Sequence, residues 1–174
     1  MKKQSQIVLM ASLLSLLNLS IGDTDLRVSM GIIVFVVGIL LFEDINPISL
    51  SCATGLGVFI MRLIEASFVT GLDGKMILSY SLEIFFYIAY GLLFFILVRK
   101  EDPKQHNPII LLLMICDFGA NATESLIRYS VSNFGLVTEN FSTIFLAAFV
   151  RSAIIWIIWR ISERYIKPKE EIKN

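Results

Sequence analysis

The sequence is poor in the residues that carry most chemistry, with one histidine and two cysteines among its 174 residues. His106 lies in the polar stretch RKEDPKQHN, so a histidine-rich metal site is excluded by count. Cys52 and Cys116 both sit inside apolar runs, where small buried hydrophobes are expected and a disulfide or metal pair is not. No Gly-rich nucleotide loop, internal repeat or low-complexity tract occurs, and no cofactor is expected. Charge of one sign is also lacking, because fifteen Lys and Arg balance fifteen Asp and Glu. Without a basic patch interleaved with aromatics, nucleic acid is excluded as a partner.

What the chain has is apolar surface. With 56% hydrophobic and 17% charged residues and a mean hydropathy of +0.75, it carries more than a soluble domain of this length could hide in one core. A multi-pass, all-α protein of the cell membrane is expected. Met1-Lys2-Lys3 before an apolar run resembles a signal peptide, but no small-residue cleavage site precedes Asp23 and similar runs recur downstream, so the segment reads as a retained first helix. A spanning helix needs about 20 mostly apolar residues. Six segments qualify: 5–22, 26–42, 48–71, 76–98, 108–132 and 136–160. The second is short at its apolar core, which makes five spans the rival count.

The breaks GDTDLR, EDINP, GLDGK, RKEDPKQHNP and SNFG supply the residues that end helices. Lys2 and Lys3, then Arg99, Lys100 and Lys104, then Arg160, Arg164, Lys167, Lys169 and Lys173 fall on one side, against Arg27 and Lys75 on the other. The positive-inside rule makes the first side cytoplasmic, and the alternation requires an even number of spans. The expectation is therefore a six-transmembrane-helix bundle over residues 1–162, both termini cytoplasmic, followed by a charged tail over 163–174. Trp156 and Trp159 suit an aromatic belt at the inner end of the last helix.

Ionisable residues inside spans are costly, so they face a bundle interior, pair with one another or line a pathway. The third segment carries Arg62 and Glu65, the fourth Glu83, the fifth Asp117, Asn121, Glu124 and Arg128, and the sixth Arg151. Counted along their helices, Arg62, Glu83 and Glu124 fall roughly 10–14 Å below the outer surface, in one layer. Asp117, roughly 14 Å from the inner surface, and Arg151, about 10–14 Å from it, form a second layer and read as a structural ion pair. Asp117, Asn121, Glu124 and Arg128 share one helix face, as do Tyr80, Glu83, Tyr87 and Tyr90, which set three hydroxyls around one carboxylate. In the outer layer Glu65, Glu83 and Glu124 outnumber Arg62 unless Arg128 reaches them. Either a carboxyl there is protonated or a cationic or hydrogen-bonding ligand completes the count. Arg62, Glu65, Tyr80, Glu83, Tyr87, Asn121, Glu124 and Arg128 are therefore the candidate ligand-binding or switch residues. Ala11, Ser15, Asn18 and Gly22 form a small-residue stripe, Gly55 and Gly57 allow close helix approach, and the phenylalanines of EIFFYIAYGLLFFILV read as lipid-facing bulk.

The stretches FEDINPISLSCATGLGVFIMRLI, SLEIFFYIAYGLLFFILV, MICDFGANATESLIR and LAAFVRSAIIWIIW resemble the N-terminal multi-span sensor module of a group of histidine kinases in Firmicutes. That group has an acidic-Asn-Pro turn before an Arg-bearing helix, a Glu-Ile-Phe-Phe-Tyr helix, an Asp-Phe helix with later Asn and Glu, and a final helix with a central Arg. The matching positions are Asp44, Asn46, Pro47, Arg62, Glu83, Tyr87, Asp117, Asn121, Glu124 and Arg151, within residues 26–160. The resemblance implies a sensory input domain without the kinase region: an isolated module, a truncated paralogue, or a subunit that signals through a partner. Six spans, short loops and a polar pocket also suit the substrate-binding subunit of a vitamin-type importer, and the first-helix stripe is compatible with docking of its energy-coupling complex. Intramembrane enzymes need His/Glu metal sets, a Ser–His pair or a dense Asp cluster; none is present, and no enzyme is expected. The partners this leaves are bilayer lipid and either a membrane or cytoplasmic signalling protein or an energy-coupling complex, with a homodimer open.

Overall fold

The turn at EDINP shows how local chemistry starts a membrane helix. Proline fixes φ and needs no N–H at the first helical position. Just before it, Asn46 Oδ1 accepts from the backbone N–H of Ile48 at 2.9 Å and of Ser49 at 3.3 Å, satisfying two donors that the helix leaves open. The computed structural model describes residues 2–20, 27–69, 71–100, 108–131 and 141–166. Its elements are α1 (Lys2–Leu14), β1 (Asn18–Ser20), β2 (Arg27–Ser29), α2 (Met30–Leu41), α3 (Pro47–Val69), α4 (Gly74–Phe94) with a π-helical turn at Phe95–Arg99, α5 (Ile109–Val131) and α6 (Phe141–Ile166). His106, Lys104 and the lysines at 167, 169 and 173 lie outside the described residues, as does the tail beyond Ile166.

Among the described residues, four of the six helices are long and apolar enough to cross a bilayer, over Pro47–Val69, Gly74–Arg99, Ile109–Val131 and Ile144–Tyr165. The chain is a multi-pass membrane protein. The first two sequence segments are not the continuous helices expected from 5–22 and 26–42. α1 and α2 are roughly 20 and 18 Å long, well short of a hydrocarbon core of about 30 Å. Two short segments between them are extended: Asn18 pairs with Ser29, Leu19 with Val28 and Ser20 with Arg27 in an antiparallel two-stranded ribbon. The ribbon gives the facing backbone groups of the two strands partners in place of a helix.

α2 is the interior element. Its sequence MGIIVFVVGILL is apolar on every side, and eight of its twelve residues are buried, as expected of a helix with no face left for solvent or lipid. It packs against α1, α3 and α6, while α3–α4, α4–α5 and α5–α6 contacts complete the circuit. Arg99, at the end of the π-helical turn, donates through Nη2 to the carbonyls of Ile39 (2.7 Å) and Phe42 (3.2 Å), closing the C-terminus of α2. Large apolar side chains on the outer faces, such as Leu56, Ile60, Ile64 and Phe68 on α3, remain exposed for lipid.

The small-residue stripe faces inward. Ala11 and Ser15 are fully buried, Asn18 belongs to β1, and Gly22 lies outside the described residues. A Cβ on Gly31 would sit 2.6 Å from the Ala11 carbonyl oxygen and 2.8 Å from Ser15 Cβ, so α1 and α2 meet backbone to backbone there. Gly31→Ala should cost about 1–3 kcal/mol by overpacking. A lowered unfolding midpoint in detergent checks it, because neither contacting group is the flexible end of a side chain. Gly55 and Gly57 also serve as expected, bringing α3 close to Ile84 and Tyr87 of α4 and to Ser12 of α1 respectively. Cys116 is buried, Cys52 is half-buried, and neither forms a disulfide.

Candidate functional site

α3, α4, α5 and α6 each send polar side chains to one chamber. Its volume is about 380 Å³, and Arg62, Tyr80, Glu83, Tyr87, Asn121, Glu124 and Arg151 stand in its wall, with Ser29, Ile32 and Phe86 completing it. The helical spacing explains the convergence: Asn121 and Glu124 lie one turn apart on α5, and Tyr80, Glu83 and Tyr87 lie on successive turns of α4.

The ion pairs around the chamber differ in closeness. Arg128 holds Glu124 tightly, Nη2 to Oε1 at 2.6 Å and Nε to the same oxygen at 2.9 Å, and also donates to Ser79 Oγ and to the Ser79 carbonyl. Arg151 Nη2 lies 2.8 Å from Asp117 Oδ2, and Asn121 Nδ2 donates to the Asp117 carbonyl at 2.7 Å. Arg62 is held loosely, its Nε 3.7 Å from Glu83 Oε2 and its Nη1 3.5 Å from Glu65 Oε2. Both distances exceed the roughly 2.7–2.9 Å of a charge-assisted hydrogen bond.

Arg128 reaches the outer layer, so the surplus of carboxylates is smaller than Glu65, Glu83 and Glu124 against Arg62 alone. What remains of it falls on Glu65, whose side chain is 40% exposed and stands outside the chamber wall. Arg62, Arg128 and Arg151 then face Glu83, Asp117 and Glu124, three charges of each sign. A more specific feature is the state of two donors. The Nε atoms of Arg62 and Arg151 are buried and have no hydrogen-bond partner among the described residues, although both side chains line the chamber.

Several assignments from sequence change. Arg151 is more than the inner half of a structural pair, since it bridges Asp117 and the chamber wall and its guanidinium lies 5.9 Å from the Phe86 ring centre. Arg128 stands behind the wall and holds Glu124 in place. Tyr90 does not contribute a third hydroxyl; it is fully buried, with ring contacts to Phe35 and Phe86. Phe86, expected to face lipid, is 4% exposed and forms wall, as only some of its neighbours such as Phe85 face outward. Its position three residues after Glu83 was a signal for this. Ser29 and Ile32 had none, because the segment holding them reads as an uninterrupted span.

Among the described residues no group of three or more His, Cys, Asp or Glu side chains could hold a metal ion. Comparison with known protein families, with curated proteins and with solved structures gives no match to this chain.

Proposed function

We propose that this protein is a membrane signal-input module without catalytic activity, in which the chamber receives a small ligand and α6 carries the response to a cytoplasmic partner. The observation that carries this reading is the double engagement of Arg151. It lies on α6, lines the chamber and holds Asp117 of α5 at 2.8 Å. A ligand that engages Arg151 competes with Asp117, and a ligand shifts an equilibrium only through such differential contacts. α6 continues beyond the apolar region through Arg160, Glu163 and Arg164, so a change in its position reaches the charged end of the helix.

In this reading the full six-segment bundle crosses the membrane, α1 and α2 completing their passages through the ribbon, with both termini cytoplasmic. Lys3 lies over the Phe42 ring, and Arg99 closes α2 at Phe42, which gathers basic residues at one end of the bundle. The chamber then opens toward the outer side. The resemblance of α3 to α6 to a kinase sensor module points the same way. The stripe on α1 compatible with docking of an importer's energy-coupling complex is less available for it, because Ala11 and Ser15 are buried.

Purification in mild detergent, followed by mass spectrometry of bound proteins, tests the reading. Capture of a protein with a histidine-kinase or response-regulator domain is the expected result; capture of a transporter ATPase complex overturns it. Glu83→Gln and Glu124→Gln should leave insertion intact and abolish the response. Loss of folded protein in both variants would mean that the layer serves structure alone.

A further inference from the structure

The geometry points to a compact zwitterion as the ligand of this chamber, its anionic end received by Arg62 and Arg151 and its ammonium end by Glu83. The inference rests on the reading of the chamber as a ligand site and names the class that fits. A volume of about 380 Å³ lies at the small end of small-molecule sites. It corresponds to about a dozen water molecules, enough for a free amino acid, a dipeptide or a phosphoethanolamine group.

Charge and hydrogen bonding select within that size. The charged groups in and behind the wall, buried at Arg151 and Asp117 and half-buried elsewhere, are balanced between three guanidinium groups and three carboxylates. A ligand of single charge would leave an uncompensated ion among these groups, whereas a zwitterion adds none. A cation alone would also bring no acceptor to Arg62 and Arg151, whose side chains line the chamber. An anion alone would leave Glu83 with a partner no closer than 3.7 Å. A ligand carrying both ends offers an acceptor to Arg62 and Arg151 and a donor to Glu83. Tyr80, Asn121 and Ser29 supply neutral hydrogen-bonding groups between them, and Phe86 and Ile32 give apolar wall for a short carbon spacer. Its anionic end draws on Arg151 in competition with Asp117, which ties occupancy to α6.

The same chemistry is offered by a soluble amino compound and by the headgroup of phosphatidylethanolamine, so the test has two arms. In the first, thermal unfolding of the detergent-purified full chain is followed with the twenty amino acids, glycylglycine and phosphorylethanolamine. Each is set beside matched controls, its ester or ethanolamine for the cation alone and its N-acetyl derivative for the anion alone. In the second, the chain is placed in nanodiscs of phosphatidylethanolamine or of phosphatidylglycerol. A zwitterion at tenfold its Kd should raise the midpoint by about 3–6 °C, with no comparable rise from its single-charge derivatives. Arg62→Gln and Glu83→Gln should each remove that rise, and a rise confined to the second arm identifies the lipid as the source. The wild-type panel decides the matter even where a variant folds poorly. If no zwitterion in either arm exceeds its matched derivatives, the inference is overturned. A rise from cations alone, lost in Glu83→Gln, overturns the zwitterion but leaves the chamber a ligand site. A zwitterion that binds while the chain is captured with a transporter ATPase sinks the signalling reading and leaves the ligand class standing.

Discussion

Arg151→Met is expected to destabilise the bundle by about 3–5 kcal/mol, the cost of leaving one partner of a buried ion pair alone. Asp117 is only 1% exposed and sits within α5, with Arg151 as its close cation among the described residues. Its Oδ1 has no hydrogen-bond partner among the described residues, and Oδ2 would keep only the long contact from Asn121 Nδ2 at 3.5 Å when the guanidinium goes. At roughly 2–4 °C per kcal/mol for a chain of this size, the midpoint in detergent should fall by about 6–20 °C. Asp117→Leu combined with Arg151→Met removes both charges, and replacement of a buried pair by apolar groups is often neutral or stabilising by about 1–4 kcal/mol. The double variant should therefore recover most of the loss and still fail to respond to ligand, because the chamber has lost Arg151. A single variant as stable as the wild type would show that water reaches this pair.

The contrast between α3 to α6 and the first two helices shows what the sequence makes legible. α3, α4, α5 and α6 are placed within a few residues, and residues 136–140, where the last segment is expected to start, lie outside the described residues. Each is a long apolar run bounded by Asn-Pro, Gly or a charge cluster, and length alone forces a helix. The run ASLLSLLNLSI carries no such constraint. A short apolar segment reads equally as helix or as buried strand, and the decision is made by a partner, residues 27–29, that composition cannot reveal. The same uncertainty hid Ser29 and Ile32 from the site. The charged groups of the chamber were legible because charge inside a span has few tolerable destinations. Which charges would be loosely held was not, since that depends on side-chain reach: Arg128 bends back one turn to Glu124, while Arg62 divides itself between Glu65 and Glu83. Tyr90 and Phe86 exchange expected roles for a related reason. Helical periodicity assigns a face but not what stands opposite it, and α2 stands opposite Tyr90.

Phe35→Ala tests whether α2 holds the chamber as well as the core. Phe35 is completely buried and meets Tyr87 and Tyr90 edge to face, with ring centres 5.8 and 6.0 Å apart. In a bilayer the reference state is apolar too, so removing the ring costs little in transfer from water; the cavity and the two lost aromatic contacts remain. The expected loss is about 3 kcal/mol, the lower end of the range for phenylalanine in soluble cores. Phe85→Ala, on the exposed side of α4, should change stability by less than about 0.5 kcal/mol and serves as the control. The chamber should register the first change and not the second. Tyr87 is wall on one side and Phe35's neighbour on the other, so a cavity behind it frees its ring to withdraw and enlarges the site. Ligand affinity should therefore fall in Phe35→Ala by more than in Phe35→Leu, which refills part of the space, and stay unchanged in Phe85→Ala. Equal stability and equal affinity across the three variants would mean that α2 fills space without bracing the wall, and the coupling between the interior helix and the chamber would have to be abandoned.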